Sequence, residues 1–180
     1  VSAGSVRLGE HGAMATVLPT FEQVLAIPDP TEATVTADLI DLNGHMNIVH
    51  YLYQGSVGAD AIMQRSGFDQ SYRSERGMAL FTAEHHLAYL SELREGDKFS
   101  VHARILGRTD KAVHLMTFLL DRTRERLSNT LEIMLVHVDL TTRRAAAIPD
   151  DIAAGLDKYI DRSAALDWAA PISGAISLRR

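Results

Sequence analysis

The chain has 180 residues, 46% hydrophobic and 23% charged, the composition of one ordinary globular domain with room for a single core. Its formal net charge is −5, from 18 Lys+Arg against 23 Asp+Glu, which argues against nucleic-acid binding but leaves room for a local basic patch and a small anionic ligand. The absence of cysteine excludes disulfides, thiolate metal sites and a cysteine nucleophile, and fits a cytoplasmic protein.

Val1 to Ala13 carries no packing pattern and reads as a leader, with Met14 as a candidate start. It lacks the basic-then-apolar order of a secretory signal, and no apolar run in the chain approaches the roughly 18 residues of a membrane span. Phe21 to Ile27 is a short apolar piece, expected to be helical and closed by Pro28 and Pro30. These segments make up residues 1–30; the domain proper is expected over 31–163, with a tail over 164–180. Ala33 to Ile40 is the first expected strand.

Asn47 to Ser66 is the one long helical segment before the chain's end. Asn47 suits an N-cap and Gly67 a stop. Apolar residues on several sides of it, with Gly55, Gly58 and Ala59 permitting close approach, predict a helix wrapped by other elements. Four strands are expected after it: Phe81 to Leu93, Phe99 to Leu106, Lys111 to Asp121 and Thr130 to Leu140. In the first, alternation places Phe81, His85, Leu87 and Tyr89 on one face. Glu95-Gly-Asp97, Gly107 to Asp110 and Asp121 to Arg126 carry hairpin chemistry. Pro149 then opens a terminal helix from about Asp150 to Ile160. The fold class is α+β, a five-stranded antiparallel sheet curled around one long helix, because so few other elements remain to hide the sheet.

Chemistry concentrates between the first strand and the long helix, in Asp41-Leu-Asn-Gly-His-Met-Asn47. Asp41, Asn43 and His45 put a carboxylate, an amide and an imidazole at alternate positions just before a helix N-terminus, with its free N–H groups and partial positive charge. A turn-rich loop ending in an N-cap would look the same. If Asn47 caps Val49 or His50, however, the Ile48 backbone N–H is left to face a ligand and hold an oxyanion. Asp41 could then act as general base on water or attack an acyl carbon itself.

This segment, continued as Ile48-Val-His-Tyr51, resembles the active-site loop of the 4-hydroxybenzoyl-CoA thioesterase branch of the hotdog superfamily, and also that of plant acyl-ACP thioesterases. Glu95-Gly-Asp97, Val138-Asp-Leu-Thr-Thr-Arg143 and Ile148-Pro149 resemble later landmarks of the same family, so the likeness runs from about Thr34 to Ile160. It implies a hotdog fold and an acyl-CoA thioester hydrolase without cofactor or metal. In one branch pattern Asp41 is the catalytic carboxylate, the Ile48 N–H polarises the carbonyl and Tyr51 follows in the helix. In the other, Asp41, Asn43 and His45 act together, so the role of His45 stays open. Asn47, Tyr51, Phe81, His85 and Tyr89 are the expected substrate contacts. A homodimer, or a higher assembly such as a tetramer, is implied, with each site built from both chains.

The acyl group stays open: aromatic, aliphatic or betainyl, the last by resemblance of the loop and Tyr89-Leu-Ser-Glu-Leu93 to thioesterases of carnitine breakdown. Two rivals share the fold, an enoyl-thioester hydratase or dehydratase and a non-catalytic acyl-CoA-binding protein. His45 and His50, five apart on a helix, cannot share a metal from one face. Arg122, Arg124, Arg126, Arg143 and Arg144 are candidates for coenzyme A phosphates, or a solvated rim.

Overall fold

The computed structural model describes residues 17–178, so the leader expected over Val1 to Ala13 lies outside the described residues. Its centre is helix α2 (Ile48–Arg65). Asn47 holds an extended backbone and accepts the Val49 N–H at 3.1 Å, and past the C-cap Ser66 the chain turns at Gly67, whose φ is +115°. Gly55 and Gly58 let the sheet reach the helix backbone. A Cβ on Gly55 would stand 2.7 Å from Leu131 Cδ2, and one on Gly58 2.5 Å from Val101 Cγ1. Ala59, Ile62 and Met63 extend this face into a core with Ile105, Leu115, Leu131 and Ile133. Full burial of each large aliphatic there contributes roughly 1.5–3 kcal/mol. The opposite side of α2 is bare, with Tyr53, Asp60 and Gln64 exposed among the described residues. The expected wrapping therefore covers one face only.

The sheet is antiparallel, in the order β1 (Thr31–Thr34), β3 (Lys98–Arg108), β4 (Ala112–Asp121), β5 (Arg126–Asp139), β2 (Met78–Tyr89). A two-residue β6 (Arg144–Ala145) pairs with β5 as a sixth, unexpected strand. On the sheet face away from α2, Val24 and Ile27, from and just beyond α1 (Phe21–Leu25), meet Met116, Phe118 and Leu120. Leu166, Trp168 and Ala170 join them from beyond α4 (Asp150–Ala164). The C-terminal stretch is thus packed onto the sheet.

Four expectations need correction. The first strand stops at Thr34, where β3 begins opposite it at Lys98, and Ala37–Leu39 form a 3₁₀ turn in place of its second half. A short helix α3 (Gln70–Arg76) was not anticipated; Asp69 caps it through the Tyr72 N–H and Gly77 ends it at φ +64°. The terminal helix runs four residues further, to Ala164. In β2, Thr82 pairs with Leu135 and Glu84 with Met134, leaving Ala83 as a bulge. That extra residue reverses the alternation. Phe81 therefore lies on the opposite face from His85 and Leu87, against the Arg143 guanidinium at 5.4 Å.

Candidate active site

The loop ahead of α2 is a tight hairpin. Asp41 N–H donates to His45 O (3.0 Å), Gly44 N–H to Asp41 O (3.0 Å) and Asn47 N–H to Leu39 O (2.9 Å). Gly44 sits at φ +78°, a conformation that costs a residue with a Cβ. Pairing of Ile40 with Met46 closes the hairpin, so that Asp41 stands across from His45, three residues before the helix begins. Leu93, beyond the end of β2, fixes the hairpin from outside: its carbonyl accepts the Met46 N–H at 2.8 Å, and its N–H donates to the Tyr51 hydroxyl at 2.9 Å.

Within this frame Asp41 is half committed. Its Oδ1 accepts the Asn43 N–H at 2.8 Å, whereas Oδ2 has no protein partner among the described residues. His45 Nδ1 is 3.8 Å from Oδ1, outside hydrogen-bond range, and 3.3 Å from Met46 O. The Asn43 side chain is exposed at the loop's edge. Asn47 spends its side-chain oxygen on Val49, so the Ile48 N–H, at the head of an 18-residue helix, is left without an acceptor among the described residues. Ile48 itself is 58% exposed.

The expected contact residues separate into two groups. Tyr51 is 4% exposed, and burial raises its pKa. Its hydroxyl is spent on Leu93, and its ring meets Tyr89 edge-on at 5.5 Å. Tyr89 stays half exposed beside it. Asp41, Asn43, His45, Asn47, Ile48, Tyr51 and Tyr89 are thus gathered by one loop and its clamp. His85 lies in the exposed middle of β2, and Phe81 is turned to the other face. Sequence reasoning missed Leu93, which acts through its backbone and leaves no side-chain signature.

Two of the candidate phosphate-binding arginines are tied down. Arg124 pairs with Asp97 and, at 3.0 Å, with Asp121; Arg126 reaches Asp121 at 3.2 Å. Arg122 is held more loosely, by a 3.5 Å contact to exposed Glu32, a 3.4 Å bond to Ser100 Oγ and the Phe21 ring at 6.0 Å. Among the described residues no group of three His, Cys, Asp or Glu could hold a metal ion, and no helix is long and apolar enough to cross a membrane.

A curled antiparallel sheet on one long helix, with a carboxylate loop at the helix head, defines the hotdog-fold class. A Staphylococcus aureus protein solved in complex with CoA has the same fold, with a TM-score of 0.71 and 26% identity over 93% of this chain and 100% of that one. The chain belongs to the thioesterase-like superfamily, whose profile matches residues 35–156. It is 31% identical over 147 residues to the betainyl-CoA thioesterase of Pseudomonas aeruginosa, covering 82% of this chain and 92% of that protein. It is 35% identical over 126 residues, 70% of its length, to the L-carnitine dehydrogenase/betainyl-CoA thioesterase of Agrobacterium fabrum, of which it spans only 26%.

Proposed function

We propose that the chain hydrolyses the thioester of a small or medium acyl-CoA, with Asp41 as the reacting carboxylate and the Ile48 N–H as the carbonyl's partner. The observation that carries this reading is an unspent N–H at a helix head beside a carboxylate with one oxygen free. In the general-base route, Asp41 takes a proton from water as its oxygen bonds to the acyl carbon. The carbonyl electrons move onto oxygen, held by the Ile48 N–H, and their return breaks the C–S bond. The departing sulfur takes up a proton, giving free CoA thiol and the acid. Direct attack by Asp41 would instead form an anhydride that water opens. The same geometry serves both. Asn43 and His45 hold the loop and the carboxylate in place.

For the acyl group, the betainyl-CoA thioesterase relatives and the exposed rings of Tyr53 and Tyr89 favour a betainyl group, its quaternary ammonium resting on an aromatic face. The working unit is a homodimer joined along β2, with His85 reaching the partner's loop. A 12-residue strand paired, among the described residues, only with β5 supports this, since such an edge invites another strand.

The test is release of free thiol from betainyl-, butyryl-, benzoyl- and crotonyl-CoA. Thiol release with the highest kcat/KM on betainyl-CoA is expected. Hydration of crotonyl-CoA without thiol release would indicate the hydratase reading, and binding without turnover the non-catalytic one.

A further inference from the structure

Away from the Asp41 loop, α2, α4, β3 and the turn after α1 line a cavity of about 60 Å³. Ile62, Val101, Ala103 and Leu166 give it an apolar body, while three arginines, Arg65, Arg104 and Arg162, line it against one acidic residue, Asp29. None of the three arginines has an ion-pair partner among the described residues. Arg65 donates to the Asp29 carbonyl at 3.0 Å, and Arg162 lies over the Tyr159 ring at 5.0 Å.

Arg104 is the informative one, at 6% exposure. Its bonds go to uncharged oxygens: Nε to Ser163 Oγ (3.0 Å), one terminal nitrogen to Ser163 O (2.8 Å) and the other to Trp168 O (3.2 Å). The guanidinium also stacks on the Trp168 ring at 4.2 Å. A guanidinium has five N–H donors, so two remain unspent. Burial lowers the Arg104 pKa, the mark of a desolvated charge without a counter-ion. Buried charges persist when paired, and here the described residues supply no anion.

We propose that this cavity binds a short-chain aliphatic carboxylate, its alkyl body among Ile62, Val101 and Leu166 and its carboxylate against Arg104, Arg65 and Arg162. A volume of about 60 Å³, at roughly 10–15 Å³ per water-sized sphere, admits about four to six heavy atoms, which sets the whole acid at three or four carbons, its carboxyl included. The site is separate from the reaction loop. Gly58, the first α2 residue in its lining, lies ten residues beyond Ile48, roughly 15 Å along the helix axis.

Isothermal titration of the full chain with butyrate, butyramide, n-butylammonium and inorganic phosphate tests this. Butyrate should bind, with butyramide weaker by about tenfold or more because the charge-assisted bonds are lost. Butylammonium should not bind, and phosphate, lacking the alkyl body, should bind more weakly than butyrate. The exposed pair Arg65→Gln and Arg162→Gln should weaken butyrate by about tenfold, and Ala103→Leu, which fills the cavity, should abolish it. The proposal is overturned by no heat at about 10 mM butyrate, by butyramide or phosphate binding as tightly, or by butyrate affinity unchanged in the double arginine variant.

Discussion

The hairpin from Asp41 to Asn47 and the turn from Arg94 to Asp97 lie on either side of Leu93, and each carries an acidic residue, yet they use it in opposite ways. Asp97 is almost fully buried, accepts the Arg94 N–H at 2.7 Å and pairs with Arg124, which also holds buried Asp121. Asp41 keeps one oxygen free, its histidine neighbour is too far for a bond, and the helix head beside it has an unused donor. A carboxylate that is buried and bonded to a guanidinium closes a turn. One that is part-exposed and without such a partner, near an open N–H, can meet a reacting group. The difference lies in partners, since both turns contain Asp, Gly and a β-strand neighbour.

The sharpest way to break this contrast is substitution at the two carboxylates. Asp41→Asn should lower kcat on the order of 10²–10⁴-fold while circular dichroism and Tm stay near wild type. Asp97→Asn should do the reverse, losing about 1–3 kcal/mol of stability in denaturant titration with kcat per folded molecule unchanged. A Tm loss in the first variant matching that of the second would erase the distinction.

Acid sharpens it further. Burial works to raise the pKa of Asp97, but the bonds from Arg124 and the Arg94 N–H outweigh it and hold the folded value below the ordinary 3.8. A group depressed on folding stabilises fully above its unfolded pKa, and that contribution is lost as pH falls through the folded value. Thermal melts below about pH 4 should therefore show a steeper loss of stability in wild type than in Asp97→Asn. Equal slopes would mean that the Arg124 pair contributes nothing. A smaller effect is expected at the clamp. Tyr51→Phe leaves the buried Leu93 N–H without an acceptor, at a cost of about 1–3 kcal/mol, and should reduce kcat only several-fold, by loosening the hairpin.

The Asp41 loop was the most legible part of the chain, because its signal is local: a carboxylate, a glycine turn and an N-cap in seven consecutive residues. The long helix and four of the strands were legible from alternation and caps. All the misses but one are non-local. Nothing near Thr34 says that its partner strand begins at Lys98. Alternation through β2 carries no mark of the bulge at Ala83, which sends Phe81 to the far face. Leu93 acts through backbone atoms alone. Trp168 reads as tail until Phe118 and Arg104 are seen on either side of it. Only α3 was readable and overlooked, since Asp69 and Gly77 are good end signals.

The central claim is that the head of α2 carries the oxyanion donor, and Ile48→Pro tests it most directly. Proline is well accommodated at the first helical position, and Asn47 already has the extended backbone (φ −63°, ψ 145°) that a following proline requires. The substitution therefore removes the one N–H in question with little else disturbed, and Ile48→Ala controls for loss of the exposed side chain. With thiol release measured under saturating acyl-CoA, Ile48→Pro should lose about 10²–10³-fold in kcat at unchanged Tm, and Ile48→Ala no more than a few-fold. An Ile48→Pro protein that folds normally and turns over within a few-fold of wild type would contradict the account.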